Sequence, residues 1–312
     1  MIILNLKDGL GNQFFEMAFA RKLQKMYPGE KIYINDFFFQ NGKRRFSSLQ
    51  HFAVSEDITF MKKPKTLLFT ALFMMRIALC HPKVFFKWMT SNERPNTPEI
   101  FAKMNKNGLY LTFNTFGYMP VIRTKRKIKY IYGNFEHYKF FEDIIDELKS
   151  DFASCEKMPD KNEKMLSMIK NTESVCVHIR RGDYLDPRWA MLNVCTLDYY
   201  RNGMEHVYQQ RRDAKFFVFS NTHDDIEWIK ANYEFDPKYD IEYVDLGNSD
   251  YEEFELIRNC KHFIISNSTF SWWGACLSDC ENKIVVLPEK WTTTVGEDCS
   301  GFYLPGWHSA NI

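Results

Sequence analysis

The chain has 312 residues, 45% of them hydrophobic and 16% aromatic, with 28 Phe and a formal net charge of +1. That apolar content excludes a disordered chain, and the length exceeds what one ordinary core serves, so two domains are expected. A charge this close to zero excludes a global basic field for nucleic acid; an anionic ligand has to be caught by a local cluster.

Taken in order, Met1 to Leu6 reads as a first strand rather than a signal peptide, because no charged region or cleavage site precedes or follows it. Lys7-Asp8-Gly9-Leu10-Gly11-Asn12-Gln13 then leads into a helix predicted from about Phe14 to Tyr27, which Pro28-Gly29 ends. Strand, glycine turn and helix together form the layout of an anion-cradling loop. The third glycine of a dinucleotide fingerprint is missing, since position 14 is Phe, so a plain tight turn is the competing reading. Asn12 and Gln13 place two amides at the helix start, where they can meet a ligand's hydroxyls. Ile32 to Asn35 is a second strand, and residues 36–60 form an irregular connection carrying Arg44 and Arg45.

Residues 61–104 are helix-rich, broken by Pro64, Pro82, Pro95 and Pro98. Within them Leu67 to Cys80 is the most apolar run. It is shorter than the roughly 20 residues a bilayer span needs, and Arg76 interrupts it. A buried helix is the expectation; contact with a membrane surface is the alternative, supported by Lys62, Lys63, Lys65, Lys83 and Lys87. Tyr110 to Phe113 and Tyr130 to Tyr132 read as short strands. Gly133-Asn134-Phe135-Glu136-His137-Tyr138-Lys139-Phe140-Phe141 follows and leads into a helix through Phe152. Residues 153–174 are polar, and the domain boundary is placed there, giving domains 1–160 and 161–312.

In the second half, strands at Val175 to Ile179, Lys215 to Phe219, Ile241 to Val244, His262 to Ser266 and Ile284 to Leu287 alternate with helices. Those helices are Leu197 to Gln210, one from Ile226, Tyr251 to Asn259, and one from Phe270. Such alternation means a parallel sheet with helices on both faces, an α/β fold. Ligands of such sheets collect at the carboxyl ends of the strands. Three polar loops lie there. The first is His178-Ile179-Arg180-Arg181-Gly182-Asp183-Tyr184, where two guanidiniums make a permanently charged fork suited to a pyrophosphate. The second is Ser220-Asn221-Thr222. The third is Ser266-Asn267-Ser268-Thr269, in which Ser268 or Thr269 would cap a helix whose start offers N–H groups to a phosphate. Their convergence favours a nucleotide site. A solvated arginine turn and an ordinary cap over a buried Trp pair are the plainer readings of the separate pieces.

No Asp-x-Asp triplet, phosphate-binding P-loop or G-x-S-x-G elbow occurs. Positive charge at a departing diphosphate then has to come from arginines, helix ends or amides. The eight Cys show no zinc-type pairing and read as free thiols.

These residues are specific enough together to carry a resemblance. His178-Ile179-Arg180-Arg181-Gly182-Asp183-Tyr184 resembles the H-x-R-R-x-D motif of α-1,2- and α-1,6-fucosyltransferases. Gly9-Leu10-Gly11-Asn12-Gln13-Phe14, Gly133-Asn134-Phe135-Glu136 and Ser266 to Leu277 are similar, in the right order, to segments of the bacterial α-1,2-fucosyltransferases of glycosyltransferase family 11. The resemblance implies a GT-B architecture, two Rossmann-like domains facing across a cleft. It implies inverting transfer of fucose from GDP-β-L-fucose to the 2-hydroxyl of a terminal galactoside, with no cofactor and no required metal. The partners implied are GDP-fucose and a galactose-terminated oligosaccharide or glycolipid.

Carried over by position, Arg180, Arg181, His178 and Asp183 form the implied catalytic set. The arginines serve the pyrophosphate and Asp183 orients one of them. Ser220, Glu253, Ser268, Thr269 and Phe270 line the implied donor site. Asn12 and Gln13 close the site from the amino-terminal domain, with Asp183 on the acceptor side. Three departures stand out: Glu136 where the family has Gln, Glu253 where an Asp is common, and Asn221-Thr222-His223 intervening where many bacterial relatives go directly from Phe-Ser to Asp-Asp. A cytoplasmic enzyme, peripheral at most to the inner membrane face, is the implied setting. The alternatives are a noncatalytic glycan-binding protein that kept the fold, a fucosyltransferase of α-1,6 linkage, and a dehydrogenase using the Gly9–Gly11 turn.

Overall fold

In the computed structural model of the protein, residues 1–40, 47–52, 57–90, 97–113 and 116–310 are described. Arg44, Arg45 and Pro95 lie outside them, as do the side chains of residues 39, 40 and 183. The chain divides into two compact units, Met1–Phe152 and Ala153–Ile312. The polar stretch in which the boundary is expected contains a helix of the second unit, Asp160–Asn171, with Asn162, Met165 and Ile169 buried.

The first unit holds a five-stranded sheet of β1 (Ile2–Asn5), β2 (Ile32–Asn35), β3 (Ile58–Phe60), β4 (Leu109–Leu111) and β5 (Lys129–Tyr132). The order is β3-β2-β1-β5-β4, and every pairing is parallel. All four residues of β1 are buried, as befits the middle strand of a sheet covered on both faces. β3 lies within what the sequence reads as irregular connection; three residues at a sheet edge leave too short an alternation to detect.

The first helix spans Leu10–Met26, beginning four residues before the expected start. Gly9 is its N-cap in an extended conformation, and Gln13 N–H donates to the Gly9 carbonyl at 3.0 Å. Asn12 and Gln13 therefore sit within the first turn rather than ahead of it. The left-handed turn that ends β1 falls on Asp8, at φ 57°, not on a glycine. Phe113 (φ 47°) and Phe135 (φ 54°) repeat this after β4 and β5. A left-handed residue with a side chain costs of order 1–3 kcal/mol and persists only where its surroundings hold it. Here packing does so: the Phe135 ring stacks on Phe19 at 3.8 Å between centroids. The helix expected through Phe152 forms instead as two 3-10 turns, Tyr138–Phe140 and Glu142–Ile144, followed by a short helix Ile145–Asp151.

Glu16 lies on the inner face of the first helix and is fully buried. Its Oε2 accepts from the Lys7 backbone N–H at 3.2 Å, and among the described residues its Oε1 has no hydrogen-bond partner. Burial raises its pKa well above the usual carboxylate range; Lys7 opposes this and the charges of Asp8 and Glu136 add to it. A carboxylate with a raised folded pKa favours the folded state when protonated, so stability is lost as pH rises from about 4 through that pKa. Glu16→Gln is therefore expected to raise Tm at pH 8, with the gain vanishing as pH falls to about 4. Paired thermal melts across pH measure this; a pH-independent difference refutes it.

The helix expected over the apolar run forms as Lys63–Cys80, but it is not a buried helix. Only Thr66, Thr70, Phe73 and Ile77 are buried, whereas Leu67, Leu68, Met75 and Leu79 are exposed.

The second unit holds a six-stranded sheet of β6 (Glu173–His178), β7 (Ala214–Phe219), β8 (Asp240–Tyr243), β9 (His262–Ile264), β10 (Val285–Pro288) and β11 (His308–Ala310). Its order is β11-β10-β9-β6-β7-β8, again all parallel. β11 is an edge strand beyond the last one expected. Helix Leu197–Gln210 forms with the expected ends and buries Tyr199, Tyr200, Met204 and Val207 on the sheet. Helices Asp250–Arg258 and Thr269–Leu277 pack so closely at Gly274 that a Cβ there would lie 2.4 Å from Ile257 Cγ2. Among the described residues none of the eight cysteines is in a disulfide.

Candidate active site

In the second sheet the chain winds outward from β6 through β7 to β8, then returns to the other side of β6 for β9, β10 and β11. The crossovers leaving β6 and β9 thus diverge, and the carboxyl ends of these two neighbours form the topological switch point at which such sheets bind ligands in a crevice. β6 runs out into Ile179-Arg180-Arg181, and β9 into Ile265-Ser266-Asn267-Ser268. Topology alone brings the two chemical stretches of the sequence together.

The arginine loop is fastened from three sides. Ile179 N–H donates to the Phe219 carbonyl at 2.9 Å, and Ser220 Oγ donates to the Ile179 carbonyl at 2.8 Å. Buried Ser220 thus braces the loop. His178 is buried, with Nδ1 2.9 Å from Ser266 Oγ, which ties the end of β6 to the loop after β9. Burial, and then the Arg180 charge, lower the His178 pKa to about 3. The charged form of the ring is disfavoured there, and its hydrogen bond makes it a strut between two loops.

Arg181 lies with its guanidinium carbon 3.4 Å from the centroid of Trp228 and its Nε 3.5 Å from Asp225 Oδ1. Asp225 is held in turn by Thr222 Oγ1 at 2.9 Å. Trp228 and Asp225 stand three residues apart on helix His223–Asn232, hence on one face. Stacking and pairing fix the plane of the fork in advance of any ligand. Arg180 lies 5.4 Å from the centroid of Tyr184, whose hydroxyl donates to the Asn267 carbonyl at 2.9 Å. Gly182 does not take a left-handed φ; it makes room, since a Cβ there would lie 3.1 Å from the Asn221 side chain. Asp183 falls within the 3-10 turn Gly182–Leu185, and its side chain is outside the described residues.

Helix Thr269–Leu277 begins at the same crevice. Ser268 is its N-cap, as the sequence suggests, but the Ser268 side chain makes no capping hydrogen bond, and no acid lies in the first turn. A helix start without a side-chain cap presents donors and the positive end of the dipole to an anion. Phe270 is partly buried, its ring 6.0 Å from that of His178 and 5.6 Å from Phe254. Trp272 and Trp273 are fully buried core. Glu253, on helix Asp250–Arg258, is partly buried. Burial raises its pKa to about 8, Arg180 opposes that, and Asp250 adds to it.

Asn12 and Gln13 belong to the first unit. Gln13 is buried and already committed: its Nε2 donates to the Asp8 carbonyl and its Oε1 accepts from Ser47 Oγ, both at 2.8 Å. Asn12, beside it, is partly exposed.

Sequence reasoning assigned no role to Trp228, Asp225, Tyr184, Ser266 or Asn267. Asn267 Nδ2 donates to the Leu192 and Trp291 carbonyls, each at 2.8 Å. Tyr184, Ser266 and Asn267 lie inside the polar loops read from the sequence; for Asp225 the signal was the Thr222-x-x-Asp225 capping pattern, which marks a helix start near the arginines but not its pairing with them. Two permanent cations and a helix start around one crevice suit a diphosphate, whose charge they meet with fixed, directional donors.

Residues 1–311 match the model of Glycosyl transferase family 11. The O-antigen biosynthesis glycosyltransferase WbnK of Escherichia coli is 27% identical over 97% of this chain and 98% of its own. An alpha-1,2-colitosyltransferase of Escherichia coli is 28% identical over 93% of this chain and 92% of its own. The galactoside alpha-(1,2)-fucosyltransferase 1 of Saimiri boliviensis boliviensis is 27% identical over 55% of this chain and 50% of its own. Among solved structures, the fucosyltransferase NodZ from Bradyrhizobium is similar with a TM-score of 0.53 at 11% identity, covering 88% of this chain and 91% of its own. Two all-parallel α/β units and that likeness make the fold GT-B-like. With its whole length matched, this chain belongs to glycosyl transferase family 11 and is a glycosyltransferase.

Proposed function

We propose that the protein transfers L-fucose from GDP-β-L-fucose to the 2-hydroxyl of a terminal galactoside, with inversion and without a metal ion. The observation that carries this is the crevice beside β6: Arg180, a preorganised Arg181 and the start of helix Thr269–Leu277 at one topological switch point. These groups offset the charge that develops on the departing diphosphate. The NodZ alpha-1,6-fucosyltransferase of similar fold has been co-crystallised with GDP, which supports the nucleotide chosen; the primate relative is a galactoside alpha-(1,2)-fucosyltransferase, which supports the sugar and the linkage. A second donor, the colitose analogue, is favoured by the likeness to the alpha-1,2-colitosyltransferase. Colitose differs from fucose by lacking the 3-hydroxyl, so the pocket around that carbon decides between them.

The test is incubation of the purified protein with GDP-fucose or GDP-colitose, with and without EDTA, against a panel of galactosides, followed by linkage analysis. An α-1,2 product from GDP-fucose that persists in EDTA supports the reading. Loss of turnover in EDTA, restored by magnesium or manganese, defeats the metal-free part; exclusive use of GDP-colitose reassigns the donor.

Glu253 adds a pH dependence. A bound diphosphate near Arg180 makes an ionised Glu253 still less favourable, so binding is linked to proton uptake. GDP affinity is expected to fall as pH rises through about 8. Glu253→Gln should flatten that profile and bind GDP at pH 9 at least as well as the parent does at pH 7. Calorimetric titration across pH measures it; parallel profiles for parent and variant refute it.

A further inference from the structure

We propose that helices Lys63–Cys80 and Pro82–Thr90 form a docking surface for an anionic lipid bilayer. On an ordinary surface helix the apolar stripe faces the core and the outer face is polar. Here the inner stripe is Thr66, Thr70, Phe73 and Ile77, while the outer stripe is Leu67, Leu68, Ala71, Met75 and Leu79. The buried stripe recurs at three- and four-residue spacing, so the helix is seated and its apolar face is fixed outward. Phe86 and Met89 continue the exposed apolar surface on the second helix. Of the twelve exposed large hydrophobic residues among the described residues, six lie on these two helices, so the patch is concentrated rather than scattered.

The charges around it select the occupant. Lys62, Lys63, Lys65, Lys83 and Lys87 are all exposed, and no Asp or Glu occurs from Ile58 through Thr90. Apolar side chains flanked by lysines without a single acid match a bilayer surface, where acyl chains lie beneath anionic headgroups. Among the described residues no single helix is long and apolar enough to cross a membrane, and the two are bent by 118° at His81. A surface-lying pair fits that geometry better than a span.

The experiment uses the purified full chain with vesicles of phosphatidylcholine alone, or mixed with phosphatidylglycerol, at low and high salt. Co-sedimentation is expected with the anionic vesicles and not with the neutral ones, weakening as salt rises. Leu79→Glu with Phe86→Glu, and separately Lys83→Glu with Lys87→Glu, should each reduce vesicle binding about tenfold or more. Tm and GDP affinity should stay unchanged, because these side chains are exposed and on the other unit from the arginines. Unchanged vesicle binding in both pairs of variants overturns the proposal, as does failure of the parent to bind anionic vesicles. Concentration-dependent self-association in solution that Leu79→Glu abolishes would assign the face to a second copy of the chain and overturn it as well.

Discussion

Alanine in place of either Arg180 or Arg181 is expected to lower kcat/KM for GDP-fucose about thirtyfold to a thousandfold while leaving the fold intact. The range corresponds to roughly 2–4 kcal/mol of lost charge-assisted contact to the diphosphate in the transition state. The two variants should differ in character. Arg181 is held in place by Trp228 and Asp225 before any ligand arrives, so its loss removes a preorganised group and leaves the Asp225 carboxylate without its cation. The Arg180 charge holds the Glu253 pKa down against burial, so Arg180→Ala should also move the fall in GDP affinity to higher pH. Lysine at 181 keeps the charge but loses the planar fork and the stacking on Trp228, and should recover only part of the loss. The measurement is steady-state kinetics with thermal melts as the folding control. Near-parental kcat/KM in both alanine variants would remove the diphosphate from this crevice and the proposed mechanism with it.

Trp272→Ala is expected to produce the largest loss of stability of any single change near the site, and little loss of binding by the protein that remains folded. The ring is fully buried, its Nε1 donates to the Phe302 carbonyl at 2.8 Å, and it meets Trp273 edge-on at 5.1 Å. Truncating such a ring removes its transfer free energy and leaves a cavity, about 3–5 kcal/mol together. The stranded carbonyl adds about 1–3 kcal/mol where water cannot reach it. In a unit of this size the Tm should fall by roughly 6–32 °C. GDP affinity well below the new midpoint should stay within about twofold of the parent, because the indole lies beneath the helix start rather than in the crevice. If Tm holds while GDP affinity collapses, Trp272 is a ligand contact and the Ser266 to Leu277 segment has been misread.

Local chemistry set much of this in the sequence. Val175, Val177 and Ile179 announce a buried strand by β-branching. Arg180 and Arg181 at its end announce anion chemistry, and the alternation of strands with helices over residues 175–287 dictates a parallel sheet. The strand ends and helix starts that position the crevice were legible to within a few residues, and the motifs together were specific enough to carry the family. All of these follow from the conformational preferences of neighbouring residues.

What stayed hidden depends on residues far apart in the chain. Nothing local shows that Trp228 will lie under Arg181, that His178 will be buried against Ser266 and stay neutral, or that Ser220 and Gln13 will spend their polar groups on the backbone and on Ser47. In the second unit those outcomes are set by strand order, which places β6 beside β9 and β7; Gln13, in the first unit, owes its partner to the return of residue 47 to the first helix. The apolar run Leu67 to Cys80 shows the limit most plainly. Its composition predicts burial, but only the packing of Phe73 and Ile77 decides which stripe faces inward, and that leaves the leucines outside. Composition fixes how much apolar surface a helix carries; long-range packing decides where that surface points.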